Sequence, residues 1–104
     1  MGGPYAAKMI HNLARAWHAP VWCGGLLETG VGRAHNIALA TLPNFSLPGD
    51  ISASDRYYAE DIIDPPVTVS PQGTIKVPDG PGIGYTVVER RVSLYCVRKE
   101  YVLH

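Results

Sequence analysis

One side chain in this 104-residue sequence that could do chemistry is Glu28, in the stretch Pro20 to Asn36, PVWCGGLLETGVGRAHN. It lies just past Pro20 to Cys23, four apolar residues that read as a short buried strand. In α/β proteins the turn at the carboxyl end of a strand is where functional groups stand. A carboxylate there could hydrogen-bond a lysine or a metal-bound water. It could equally cap the following turn or face solvent, and the sequence leaves the two readings level. Gly24, Gly25, Gly30 and Gly32 allow backbone to approach a ligand closely. A helix beginning near Gly32 would add the positive end of its dipole. Such a turn suits a carboxylate or phosphate; a plain tight turn is the competing reading. Gly30-Val31-Gly32 is not a dinucleotide fingerprint, because His35 stands where the third glycine is needed, and no Gly-Lys-Ser/Thr makes it a Walker loop.

Asp50 follows a second short strand, Phe45 to Leu47, in the equivalent position. Asp55, Glu60, Asp61 and Asp64 come after it. Acids can hold magnesium when they converge from different strands; these share one surface segment, and a solvated loop is expected. His11, His18, His35 and His104 contain no i, i+4 pair of the kind that binds metal on a helix. His11 and His18 are expected at the surface. Cys23 and Cys96 fit no zinc or redox spacing and read as two reduced thiols. Glu89-Arg90-Arg91 and Arg98-Lys99-Glu100 mix signs and read as a solvated face. Nothing resembles a nucleophile elbow.

The elements that would position these groups follow an α/β order. Pro4 suits the first turn of a helix. Residues 5 to 17 read as that helix, with Met9, Ile10, Leu13 and Trp17 as its inward face and Pro20 as its limit. The strand Pro20 to Cys23 is apolar on both faces, as in a parallel sheet covered by helices. Ala34 to Leu42 reads as a helix, with Ile37, Ala38 and Thr41 or Leu42 inward. Ser52 to Asp55 is rich in capping side chains, and a short helix through Tyr57 and Tyr58 is expected. From Asp61 the chain becomes rich in proline and glycine. Val67 to Val69 and Thr74 to Val77 read as strands joined at Ser70 to Gly73, and Asp79 to Gly82 as another turn. Tyr85 to Tyr95 fits helix or strand, and Tyr95 to Leu103 favours strand.

Length suits one small domain, able to bury about 60–65% of its unfolded surface. Nine basic residues balance nine acidic ones, which argues against a general nucleic-acid or membrane surface. No apolar run approaches the ~20 residues of a membrane span. MGGPYAAK has no apolar signal core, so a cytoplasmic location is expected.

Two motifs then carry a resemblance. GGxxExGxGRxxN is present as Gly24 to Arg33 with Asn36, and LPGDxSASDRY as Leu47 to Asp50 with Ser52 to Tyr57. The preceding GGPYAAKMIHNLARAWHAP fits the same pattern. Over about residues 2 to 85 the chain resembles the C-terminal part of the enolase superfamily's o-succinylbenzoate synthases. These belong to the muconate lactonizing enzyme-like subgroup and also act as N-acylamino acid (N-succinylamino acid) racemases. The resemblance implies a partial (β/α)8 TIM barrel: helix 6, then strand 7, helix 7, strand 8 and helix 8. Residues 1–60 would be the barrel portion. Residues 61–104 would be a C-terminal extension whose short strands pack toward the capping domain.

The implied activity is removal and return of the proton next to a substrate carboxylate by two lysines, with a divalent metal, Mg2+ (or Mn2+), stabilising the enolate. One site then makes o-succinylbenzoate from a menaquinone precursor or racemises N-acylated amino acids. Gly25, Leu26 and Leu27 match strand-7 positions lining the substrate pocket. Tyr57 matches an aromatic position near the substrate's side group, and Glu28 and Asp50 lie beside these. The family's metal carboxylates stand on strands three to five, one lysine on strand two, and the other before a Gly-Gly pair after strand six. Gly2-Gly3 occupies that pair, with only Met1 before it, and Lys8 is on the outer helix face. The expectation is that this chain holds no catalytic residue and no metal ligand, binds no cofactor by itself, and is inactive alone. Its partner would be the N-terminal remainder of the enzyme or further copies of itself, around a small carboxylate substrate, without nucleic acid or membrane. A complementing subunit of a split enzyme and a non-enzymatic small-anion binding module stand as alternatives.

Overall fold

The computed structural model describes residues 2–101. Its first helix, α1, is Pro4–Ala16, with proline in the opening turn as expected. It ends in a Schellman arrangement: Ala19 N donates to Ala14 O (2.9 Å) and His18 N to Arg15 O (3.1 Å). His18 takes the left-handed conformation, φ 54°, that usually falls to glycine there. The second helix, α2, is Gly30–Ala40, so it begins inside the glycine turn, four residues before the expected Ala34. An antiparallel pair follows, β1 (Ile63–Asp64) with β2 (Thr86–Val87), Ile63 opposite Val87. Helix α3, Glu89–Tyr95, completes the order. Tyr85 to Tyr95 is thus strand first and helix second.

Val21 pairs with Phe45 and Gly24 with Asp50, both in parallel, so the two segments run side by side in one direction as expected. Val21 N donates to Asn44 O (3.0 Å), Leu47 N to Val21 O (3.3 Å) and Asp50 N to Cys23 O (2.8 Å). The pairing stays at isolated bridges rather than a continuous ladder. Pro48, between the two bridges, has no amide to donate, and the second segment needs more residues than the first to reach the next bridge.

The apolar centre is small. Ile37, Ile63 and Val67 form it, with Val31, Ile51, Ile75 and Tyr85 packed around. Helix α2 faces it with Gly30, Arg33, Ala34 and Ile37, while Ala38, expected inward, is exposed, and of the alternatives Thr41 and Leu42 the first is exposed and the second half-buried. Helix α1 corrects the sequence reading more sharply. Its buried residues are Ala7 and His11, whereas Met9, Ile10, Leu13 and Trp17 are all exposed. Periodicity identifies the face that avoids water; it does not say that this chain covers it. His11 is buried, not superficial. Asn44 N donates to its Nε2 (3.0 Å), its Nδ1 donates to Asn12 Oδ1 (3.0 Å), and its ring stacks on Phe45. It ties α1 to the second parallel segment.

Three further expectations change. Ser54–Arg56 forms a single 3-10 turn instead of a helix through Tyr57 and Tyr58. Val67 to Val69 and Thr74 to Val77 form no ladder, although the turn between them is present, with Gly73 N donating to Ser70 O (2.9 Å) and Ser70 N to Thr74 O (2.8 Å). The second turn closes at Pro81–Gly84. Residues 96–101 are not strand; the remainder of that expected strand, to Leu103, lies outside the described residues.

The chain exposes 7904 Å², against about 5,700 Å² for a compact monomer of its mass. Its radius of gyration is 15.2 Å, against about 13 Å for a compact domain of this length. Tyr5, Met9, Leu13, Trp17 and Trp22 are among the large apolar side chains left exposed. No helix among the described residues is long and apolar enough to cross a membrane.

Candidate functional site

The two parallel bridges bring the carboxyl ends of both segments to one corner, made by Gly24 to Glu28 and Leu47 to Asp50. Gly25 sits against the Asp50 carbonyl so closely that a Cβ would collide with it. Glycine is therefore required by contact, not by a turn. Glu28 is half-buried and turned inward. Its Oε2 accepts from Leu26 N (2.6 Å) and its Oε1 from Asn36 Nδ2 (3.1 Å). Its charge, with burial acting first, raises the Cys23 thiol above the ordinary cysteine range. That leaves Cys23 a poor nucleophile. Both thiols are unpaired, Cys23 buried and Cys96 exposed.

Leu26 and Leu27 stand 77% and 63% exposed on this corner. The Tyr58 hydroxyl donates to Leu27 O, which brings the segment holding Tyr57 alongside. Tyr57 is itself exposed, as is Asp50. The structure therefore joins Gly25, Glu28 and Asp50 by direct contact, and Tyr57 to Leu27 through its neighbour. Leu26 to Glu28 form one ledge.

Beneath the ledge lies a junction that residue-by-residue reading missed. Arg33 is fully buried and pairs with Asp61 (Nη1 to Oδ2, 3.0 Å). Asp61 Oδ1 accepts from Gly30 N and Ile62 N, both at 2.8 Å, and its Oδ2 from Ser54 Oγ (2.6 Å). Ser54 Oγ in turn accepts from Val67 N (3.0 Å) and Arg33 Nη1 (3.4 Å). Arg33 Nη2 donates to Glu28 O (3.0 Å). Burial by itself would push the Asp61 carboxyl up; the bonds from Ser54, Gly30 and Ile62 and the charge of Arg33 outweigh it and hold the group below the usual carboxylate range. Asp61 is thus removed from the solvated acidic segment in which the sequence placed it. Arg91 is likewise not wholly solvated. It bonds Glu60 (2.8 Å) and donates to the carbonyls of Asp61 and Ile63, both at 3.1 Å.

The sequence alone does not signal the junction, because Thr29 is itself a usual capping residue. Helix α2 starts at Thr29-Gly30 without a side-chain cap of its own, and a helix start needs an acceptor from somewhere. Asp61 supplies it across 31 positions.

These contacts limit the chemistry available. The Leu26 and Gly30 amides, which an anion would need, already donate to Glu28 and Asp61. Each Asp61 oxygen accepts two internal hydrogen bonds, and each Glu28 oxygen accepts one. Among the described residues no three His, Cys, Asp or Glu side chains converge on a point. The residues present do not fit a metal centre. The corner presents the apolar side chains of Leu26 and Leu27 to solvent, on backbone held by Gly25 against Asp50 and by Leu26 N on Glu28.

Comparison with known proteins places the chain in a family. The chain is 59% identical over 95 residues to an o-succinylbenzoate synthase of Geobacillus stearothermophilus, which covers 91% of this chain and 25% of that protein. It is 55% identical over 102 residues to an N-succinylamino acid racemase of Amycolatopsis, covering 98% of this chain and 27% of that protein. A solved enolase-superfamily member from Listeria innocua superposes with a TM-score of 0.84 at 49% identity, over 90% of this chain and 25% of the other. The chain spans about a quarter of the length of the relatives it matches. A profile of the enolase C-terminal domain-like family matches residues 1–91. With nearly the whole length matched and two parallel segments meeting at a glycine-bound corner, the chain belongs to the enolase C-terminal domain-like family.

Proposed function

We propose that this chain is the strand-7 and strand-8 portion of a (β/α)8 barrel, acting in the cytoplasm within an o-succinylbenzoate synthase or N-acylamino acid racemase. Residues 61–104 are read as the extension toward the capping domain. The chain's share of the work is the substrate wall: Leu26 and Leu27 on the ledge, Gly25 allowing close approach, and Tyr57 beside the substrate's side group. Glu28 and Asp50 flank them. Proton transfer and the Mg2+ or Mn2+ that steadies the enolate belong to residues outside this chain. That division accords with a corner that exposes the apolar Leu26 and Leu27 and whose Glu28 carboxylate is bonded to Leu26 N and Asn36. One observation carries the reading: Leu26 and Leu27 project from the carboxyl end of a parallel pair on backbone fixed by Gly25 against Asp50 and by the Glu28 carboxylate.

The partner is the remainder of the enzyme, supplied as one polypeptide or as a separate subunit, or further copies of the chain. The test is a chimera in which this chain replaces the matching quarter of the Geobacillus stearothermophilus relative. It is expected to convert the menaquinone precursor or an N-succinyl amino acid in the presence of magnesium, while the 104-residue chain alone does neither. A folded chimera inactive on both substrates, or activity in the isolated chain, overturns the reading.

A further inference from the structure

The ledge and the Tyr57 segment have no regular structure of their own. Residues 25–28 and 57–61 belong to no helix or strand. They are nevertheless linked by a closed circuit. Arg33 Nη2 holds Glu28 O (3.0 Å), and Arg33 Nη1 holds Asp61 (3.0 Å). Ser54 Oγ donates to the same Asp61 oxygen (2.6 Å). Ser54 O accepts from Tyr58 N (3.2 Å) and Tyr57 N (3.4 Å). The Tyr58 hydroxyl returns to Leu27 O, one residue from where the circuit began.

We infer that Arg33 and Asp61 are positioning residues that set the spacing between Leu26–Leu27 and Tyr57, and so the size of the substrate side group that fits there. The inference rests on reading the ledge as a substrate wall. A buried ion pair is a weak source of stability, because removing two charges from water costs much of what their attraction returns. Apolar residues of similar volume could fill the same space. They could not reach Glu28 O and Asp61 together from one planar fork. Arginine can, and lysine, a single point donor on a flexible stem, cannot. The charge pair therefore fixes a distance rather than merely filling a volume. Gly30 adds to the constraint, since a Cβ there would lie 2.9 Å from Asp61 Oδ2 and collide with Ile63.

The test uses Arg33→Lys and, as a variant that leaves the ion pair intact, Tyr58→Phe. In the chimera described above, each is assayed on N-succinyl amino acids with small and large side chains. Arg33→Lys is expected to raise KM about tenfold with kcat within about threefold, and to change the preference between small and large side chains by about fivefold or more. Tyr58→Phe should move the preference in the same direction by less. Equal losses on every substrate would mark a purely structural role and overturn the inference. A second readout is independent of activity. In the 104-residue chain, Arg33→Lys should shift the amide resonances of residues 26–29 and of 57–58 together, leaving α1 unmoved. Shifts confined to residues 29–33 would overturn the coupling. Coupled amide shifts in a chain whose chimera is inactive would instead remove the catalytic reading and keep the circuit.

Discussion

The junction under α2 and the outer ridge of α1 invert the usual distribution of residues. At the junction, Arg33, Ser54 and Asp61 are 0%, 2% and 5% exposed. On the ridge, Tyr5, Met9, Leu13 and Trp17 are 54–79% exposed. Charged residues seldom go inside unless they are paired, and large apolar ones seldom line up outside. The difference is one of completeness. The junction carboxylate and hydroxyl find their partners within the chain. Among the described residues the ridge finds no cover. Burial in this molecule follows what the chain itself supplies, and hydrophobicity alone does not predict it.

Breaking the junction should have the largest effect. Asp61→Ala leaves Arg33 buried without its counter-charge and the α2 N-terminus without its acceptor. A loss of about 3–5 kcal/mol is expected, enough to abolish the folded state, read by urea denaturation followed by circular dichroism. A fully cooperative transition near the parent's midpoint would show that the junction is not what holds α2 to β1. Gly30→Ala comes next. Its added methyl meets Ile63 and Asp61, and overpacking of this kind costs about 1–3 kcal/mol. The same experiment measures it.

The two regions also differ in how far the sequence reveals them. The parallel corner is legible, because Pro20 to Cys23 and Phe45 to Leu47 are short apolar runs ended by glycine or Pro-Gly. Helix α1 is legible in extent but not in orientation. Its strongest apolar stripe faces solvent, and its buried face carries His11, whose partners Asn44 and Phe45 lie more than 30 residues on. The junction was hidden for the same reason. Arg33 and Asp61 meet 28 positions apart, and local composition around Asp61 reads as solvated acid. Of the candidate site, Gly25 lies against both the Asp50 carbonyl and the Glu28 carboxylate. The inward turn of Glu28 onto Leu26 N and Asn36 depends on α2 starting at Gly30, which a glycine-rich stretch conceals.

Acid should weaken the junction selectively. Asp61 titrates below the usual carboxylate range in the folded chain. Its contribution is therefore fully present above the unfolded value of about 3.9 and is lost as pH falls through the lower folded value. Urea midpoints should decline as pH falls from about 4 through the lower folded value. In Asp61→Asn, destabilised at every pH, that decline should be shallower. An equal decline in both proteins would assign the acid sensitivity to other carboxylates.

The ridge gives the smallest effect on the isolated chain, and the sharpest contrast. Leu13 is 62% exposed, so Leu13→Glu removes little packing and buries no charge. Its unfolding free energy should stay within about 0.5 kcal/mol of the parent, measured at a concentration where both are monomeric. Assembly is another matter. A carboxylate in the middle of the stripe formed by Tyr5, Met9, Leu13 and Trp17 would have to be desolvated by whatever covers it. Sedimentation at rising concentration, alone and with the remainder of the enzyme, should show association by the parent and little by the variant. If Leu13→Glu instead unfolded the monomer as thoroughly as Asp61→Ala, the ridge would be core after all, and the division between a finished and an unfinished face would collapse.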